Sequence, residues 1–281
     1  MKLKWQYWPI CLACLAFPLP AAPAQQSVAD TQVNAQYEIY GGGFHLLDAN
    51  LSIDLHHGAY SAHVHANTQG TIGYLFPWWN DVQSKGNIRA RLMETLLHVS
   101  ENSWLGDVHR VTLVYDGKGG FKKKIVFPTP AEENREEVAP ELTRHTQDLM
   151  SAALTLLQRV SQGESCNQTL AVYDGRRRYN LKFVEIGTED LPMSRYGIYH
   201  GPARQCDMTI ERVAGFWKQF QIRWTEDGDA QMKLSFWLAP IRPGGPVIPV
   251  RARTIGDYGA TFVHLTGGIV DGKTLKDSMM P

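Results

Sequence analysis

In several stretches of this chain every second side chain is apolar, and that period leaves little room for anything but β-strands. Leu51, Ile53 and Leu55 alternate with Ser52, Asp54 and His56. After a turn at His57-Gly58, Tyr60, Ala62, Val64 and Ala66 alternate with Ser61, His63 and His65. Val111, Leu113 and Tyr115 repeat the pattern, as do Phe220, Ile222 and Trp224, and Leu234, Phe236 and Leu238 beyond a turn at Glu226-Asp227-Gly228-Asp229. A strand sends successive side chains to opposite faces, so these segments predict ribbons with one oily and one wet face. Short connections with Asp-Gly signals, as at Asp116-Gly117, Asp174-Gly175 and Asp271-Gly272, make an antiparallel meander the simplest arrangement. Its apolar face has to be covered, and curling hides both that face and the edges. The expected fold is therefore mainly β, a curved antiparallel sheet forming a barrel or half-barrel.

One segment breaks the rhythm. Over about 147–161, Leu149, Ala153, Leu156 and Val160 recur at helical spacing, and Met150, Leu154 and Leu157 widen the stripe. A helix with so broad an apolar face belongs in the interior, which places one buried helix inside the curved sheet. Before it, a proline- and glutamate-rich stretch at about 128–145 reads as an exposed linker within one domain, and the last residues from Lys273 read as a loose tail.

The first 24 residues have the order of an export signal. Lys2 and Lys4 supply the charge, Pro9 to Leu19 a short apolar run, and Ala22-Pro23-Ala24 the small residues before a cleavage point near Ala24. The expected location is periplasmic, with a single β-rich domain over 25–281. Of the four cysteines, Cys11 and Cys14 leave with the signal, so Cys166 and Cys206 remain. An even pair in an oxidising compartment predicts a disulfide, against the alternative of two buried free thiols. Lys and Arg number 28, as do Asp and Glu, so no single-sign field draws the chain to nucleic acid. No later run has the apolar length of a transmembrane helix.

A group of segments together resembles the exported bacterial family known as domain of unknown function 3108. They include Tyr37-Glu38-Ile39-Tyr40, Thr71 to Trp78, Val111 to Asp116, Val172 to Tyr179 with its Asp-Gly-Arg-Arg-Arg-Tyr core, Gly201-Pro202-Ala203 before Cys206, and Trp237-Leu238-Ala239-Pro240. Leu149 follows Asp148 where members often carry proline at the helix start. The resemblance implies an exported protein shaped like the periplasmic lipoprotein carriers, a curved sheet around an apolar cavity with helix as a lid, and leaves activity open.

Candidate site residues follow from chemistry and placement. Tyr74, Phe76, Trp78 and Trp79 crowd around Pro77 and would either cap the sheet or line the mouth of a pocket for ligand or partner. Beyond the Asp174-Gly175 turn, Arg177 shares the inward face of Tyr179 and could hold a carboxylate or phosphate, with Arg176 and Arg178 facing solvent. His56, His63 and His65, with Asp54 nearby, are weak metal candidates across one hairpin, while adjacent His56 and His57 should diverge. The chain has no G-x-S-x-G elbow, H-E-x-x-H helix or phosphate loop, so neither a catalytic residue nor a cofactor is nominated. The expectation is a periplasmic envelope protein with an apolar concave face for a lipid, lipoprotein or lipidated ligand. The alternatives are a structural envelope component docking a protein partner and a metal-dependent enzyme.

Overall fold

The computed structural model describes residues 30–89, 92–218, 233–256 and 259–275. The export signal, the strand expected at 220–224 and the turn at 226–229 lie outside them. The chain first lays down a seven-strand meander: β1 (Thr31–Gly41), β2 (Phe44–His56), β3 (Ala59–Thr68), β4 (Trp78–Arg89), β5 (Leu92–Trp104), β6 (Asp107–Tyr115) and β7 (Phe121–Phe127). A short helix, α1 (Gly70–Leu75), interrupts it between β3 and β4. A long connection then leads through a 3₁₀ turn (Pro140–Thr143) to helix α2 (Leu149–Ser161). The second meander is β8 (Gln168–Tyr173), β9 (Arg178–Leu191), β10 (Gly201–Ala214), β11 (Leu234–Pro240), β12 (Val247–Gly256) and β13 (Gly259–Val270), with β14 (Lys273–Thr274) folded back on β13.

The two meanders join through their outermost strands in sequence. β1 pairs antiparallel with β13, so the spatial order is β7-β6-β5-β4-β3-β2-β1-β13-β12-β11-β10-β9-β8. The free edges, β7 and β8, flank the long connection in sequence and curl toward each other without pairing. Phe121 of β7 meets Tyr173 of β8 at 5.7 Å between ring centres. The backbone on the way into α2 fills the gap: His145 N–H donates to Gly119 C=O, and Gln147 exchanges hydrogen bonds with Ala171 and Tyr173 of β8. The result is a half-barrel, as the alternation predicts.

The local signals explain the elements. The β2–β3 turn has positive φ at both central residues, His57 (49°) and Gly58 (75°), the twist a two-residue hairpin needs. In β1, Val33, Ala35, Tyr37 and Ile39 are buried while their neighbours are not. Helix α2 starts where Asp148 caps it by accepting from Ser151 N–H at 3.0 Å, so Leu149 in place of proline leaves the helix start in register with the cap. Three apolar clusters fill the interior among the described residues, and α2 joins two of them. Leu154 belongs to the cluster under β1–β3 and β12, whereas Ala152, Leu156 and Val160 belong to the one under β8–β11. Burying a leucine or valine side chain is worth about 1.5–3 kcal/mol, so these three large residues contribute substantially to holding the helix on the sheet.

The helix is rotated from the expected stripe. Leu149 and Ala153 are exposed, and Ser151 and Thr155 are fully buried in their place. Polar groups on the sheet pull those two hydroxyls inward, as described below. Two other segments are more embedded than expected. The stretch at 128–145 carries buried Arg135 and Thr143 among its exposed residues, and past β14 Leu275 is 1% exposed within the core, so the chain is not loose from Lys273. Cys166 and Cys206 are bonded with Cα atoms 6.3 Å apart, tying the start of β8 to β10 across β9.

Candidate functional site

A cleft of about 450 Å³ opens between α2 and the inner face of the sheet. Val33 of β1, Ile53 and Leu55 of β2, and Ile248 of β12 supply its sheet wall, and Leu154 and Leu157 supply the helical one. Met93 at the start of β5 also lines it and is held from both sides. Its N–H donates to Thr155 Oγ1 (3.1 Å), and its C=O accepts from Gln147 Nε2 (2.6 Å). Gln158, Ser161 and Gln162 at the C-terminal end of α2 add polar groups to the lining. Gln162 Oε1 is buried with no hydrogen-bond partner among the described residues.

The helix is set at this distance from the sheet by a polar network centred on Asp148, which is 0% exposed. Its Oδ1 accepts from Ser84 Oγ (2.7 Å) and Ser151 N–H (3.0 Å), and lies 3.2 Å from His98 Nδ1. Its Oδ2 accepts from Thr95 Oγ1 (2.8 Å) and from Ser151 Oγ. Since the one hydroxyl hydrogen of Ser84 goes to Asp148, the 2.9 Å contact between Ser84 Oγ and His98 Nδ1 requires the ring nitrogen to be the donor. By the same count Tyr60 donates to Ser151 Oγ at 2.6 Å. Burial alone would raise the Asp148 carboxyl, but His98 and the donors from Ser151 and Ser84 overcome it and hold the group below the usual carboxylate range.

Ser84, His98 and Asp148 have the residue types of a nucleophilic triad but not its wiring. In a triad the serine and the carboxylate bond opposite nitrogens of the imidazole. Here both meet Nδ1, the serine proton goes to the carboxylate, and Ser84 is 0% exposed. The arrangement anchors a helix; it does not activate an oxygen.

The residues nominated from sequence fall in other places. Tyr74 (86% exposed) lies on α1, Phe76 caps that helix, and Trp78 and Trp79 begin β4 half-buried. None of the four lines the cleft. Arg177 is engaged within its own turn, its Nε and Nη2 on Asp174 Oδ2 at 2.8 and 2.7 Å. The expected outward Arg176 is instead buried. It donates to Glu133 Oε2 (2.7 Å) and to the Phe127 C=O, clamping the β8–β9 turn to the end of β7. Strand alternation cannot be extended back to it, because the turn runs through Arg177 and β9 begins at Arg178.

The histidines form two separate groups. His63 Nε2 and His65 Nδ1 both meet Asp81 Oδ2, at 2.9 and 3.2 Å. Partial burial would raise the Asp81 carboxyl, but the two imidazoles bring it below its ordinary value. His56 is apart from them, its Nδ1 2.8 Å from Asp30 Oδ2. The left-handed backbone at His57 brings its ring beside that of His56, at 3.8 Å between centres, so the two do not diverge. Asp30, His56 and His57 thus present three ligand atoms within 4.8 Å of one another, an exposed group whose chemistry suits a divalent transition metal.

With the geometry in place, comparison with known proteins gives a family. The model of the family described as "Protein of unknown function (DUF3108)" matches residues 36–266. The chain belongs to the DUF3108 family. Among solved structures, this DUF3108 chain is similar to a β-barrel-like protein of domain of unknown function DUF1849 from Brucella abortus. Identity is 11%, the alignment covers 87% of this chain and 98% of that one, and the TM-score is 0.43. It is also similar to a protein described as a "putative lipoprotein" from Parabacteroides distasonis, at 8% identity, 89% and 96% coverage and a TM-score of 0.29. No curated protein matches it. No helix among the described residues is long and apolar enough to cross a membrane.

Proposed function

We propose that this DUF3108 protein is exported and serves in the cell envelope as a binding protein whose cleft under α2 holds one apolar chain of a lipid or lipidated peptide. The carrying observation is the cleft: Val33, Ile53, Leu55, Leu154, Leu157 and Ile248 give it an aliphatic wall, and Gln158, Ser161 and Gln162 gather at one end of the helix. A volume of about 450 Å³ falls in the range of about 300–1,000 Å³ typical of small-molecule sites. The signal-like N-terminus and the Cys166–Cys206 bond support an oxidising compartment.

The test is native mass spectrometry of protein purified from periplasm without detergent, followed by solvent extraction. The expected result is a stoichiometric apolar adduct that extraction removes and that Leu157→Trp, which fills the cleft, prevents. A ligand-free protein that also fails to take up a fluorescent fatty acid saturably would defeat the proposal. A second reading, a structural component docking a protein partner, draws support from the exposed Tyr74, Leu75 and Phe76. Crosslinking from position 78 or 79 to envelope proteins, with no lipid bound, would favour it.

A further inference from the structure

The opposite face of the sheet carries a second concavity, of about 470 Å³, beneath the connection between β9 and β10. Strand alternation separates it from the first. Val33, Ala35, Tyr37 and Ile39 of β1 point toward the core, so Glu38 and Tyr40 point away from it. Tyr40 lines this cleft with Phe262 and His264 of β13, Arg251 of β12, and Tyr196 of the overlying connection. Ile198 N–H secures that connection to the sheet by donating to Leu265 C=O at 2.9 Å.

Four rings form the walls. Tyr196 stacks on His264 (5.7 Å, 25°), Phe262 lies nearly parallel to His264 (6.1 Å, 19°), and Tyr40 meets Tyr196 edge-on (5.0 Å, 64°). The phenol hydroxyls are already engaged: Tyr40 donates to Glu38 Oε2 (2.5 Å), and Tyr196 accepts from Arg195 Nη2 (2.6 Å). What remains toward the cleft is ring surface. On one side the lip is Gly41-Gly42-Gly43, where no side chain narrows the mouth.

Two polar groups in this cleft lack polar partners among the described residues. Arg251 makes no ion pair and has only the Trp237 ring, 5.9 Å away. His264 is 6% exposed and surrounded by rings, with no hydrogen bond to either nitrogen. Burial and the neighbouring Arg251 lower its pKa against an opposing pull from Glu38, so it is neutral at pH 7 and offers one donor and one acceptor. A ligand that reaches this ring meets nitrogens that no described residue engages.

We propose that this cleft binds a small aromatic carboxylate, its ring between Tyr40, Tyr196 and Phe262 and its carboxylate on Arg251. A guanidinium is a planar fork matched to a carboxylate by two parallel N–H bonds. One fork between flat walls suits a monovalent planar anion better than a phosphate, which would call for more donors. Aromatic walls favour a flat ring over a flexible aliphatic chain. The site is independent of the cleft under α2.

The experiment is calorimetric titration of the purified protein with 2-naphthoate and benzoate. Benzyl alcohol, cyclohexanecarboxylate and inorganic phosphate serve as comparators, and thermal melts monitor the fold. Saturable one-to-one binding of the aromatic acids is expected, with each comparator at least about 10-fold weaker. Arg251→Gln should weaken binding by about 10- to 100-fold, the range for losing a charged hydrogen-bonding partner. Arg253→Gln removes a guanidinium over the same Trp237 ring but outside the cleft and should change nothing. Leu157→Trp, which blocks the other cleft, should leave naphthoate affinity intact. Absence of saturable binding, equal affinity for benzyl alcohol or phosphate, or an unaltered affinity in a folded Arg251→Gln variant would each overturn the proposal. If Arg251→Gln fails to fold, the ranking of comparators on the unaltered protein still decides it.

Discussion

Replacing Asp148 by alanine removes one carboxylate that takes donors from two strands and a helix. The hydroxyls of Ser84, Thr95 and Ser151 can turn to other acceptors and His98 Nδ1–H keeps Ser84 Oγ, but Ser151 N–H is fixed by the backbone. Each orphaned buried donor costs about 1–3 kcal/mol, and breaking other buried charge pairs from one side costs about 3–5 kcal/mol. We therefore expect Asp148→Ala to lose about 3–5 kcal/mol, a large part of a domain stability that is typically about 5–15 kcal/mol. Asp148→Asn keeps one oxygen for Ser151 N–H and should lose about 1–2 kcal/mol. The assay is urea unfolding of the oxidised protein at pH 7, followed by circular dichroism, with the midpoint shifting at constant slope. Because the folded carboxyl lies below its unfolded value, its contribution is complete above about pH 4 and fades as pH falls through the folded value. The gap between wild type and Asp148→Asn should accordingly narrow in acid. In a double-mutant cycle, His98→Leu should cost less when Asp148 is already absent. An Asp148→Ala cost within the surface range of about 0.5 kcal/mol, or strictly additive effects with His98→Leu, would refute the network as the anchor of α2.

Four further outcomes are expected. Replacing both Cys166 and Cys206 by serine should lower stability by about 4 kcal/mol on the chain-entropy account, and the oxidised protein from residue 25 onward should show no reactive thiol until reductant is added. Leu154→Ala, at 4% exposure and on the cleft wall, should cost about 2–5 kcal/mol in urea unfolding. Gly86→Ala would drive a methyl group to within 2.0 Å of the Glu94 C=O and 2.7 Å of the Tyr60 ring, so a loss of about 1–3 kcal/mol is expected from thermal melts. The His264 pKa is lowered by burial, so its neutral form stabilises the fold above about pH 6.5 and that contribution is lost as pH falls through the folded value; His264→Gln should flatten this part of a melting-temperature profile between pH 7 and 5.

The strands whose alternation was read, the later part of β2, β3, β6 and β11, were legible because every second side chain in them is apolar. β4 and β5 were not, and the reason is specific. Their buried positions include Gly86, which has no side chain to show a face, and Ser84, Thr95 and His98, polar residues that meet the Asp148 carboxylate at the cap of a distant helix. An oil-and-water reading sees no face in such a segment. The same network rotates α2, which is why an apolar stripe placed Leu149 inside and missed Ser151 and Thr155. Arg176 escaped because strand parity holds only within a strand, and His57 because a left-handed turn residue obeys no alternation. The apolar cleft was foreseeable in kind from a greasy helix over a curved sheet. The aromatic cleft was not, since Tyr40, Tyr196 and Arg251 meet only through the β1–β13 seam and a long connection.

That seam bears on how the molecule is made. The first described strand finds its second neighbour only in β13, with Tyr37 opposite Leu265. A chain made from its N-terminus can roll up two half-shells as it emerges, yet one rim of β1 keeps its amides bare until almost the whole length is out. Such distant pairing is slow, and an open rim invites the wrong neighbour. A polypeptide halted just short of β13 would be split down its midline rather than trimmed at a border.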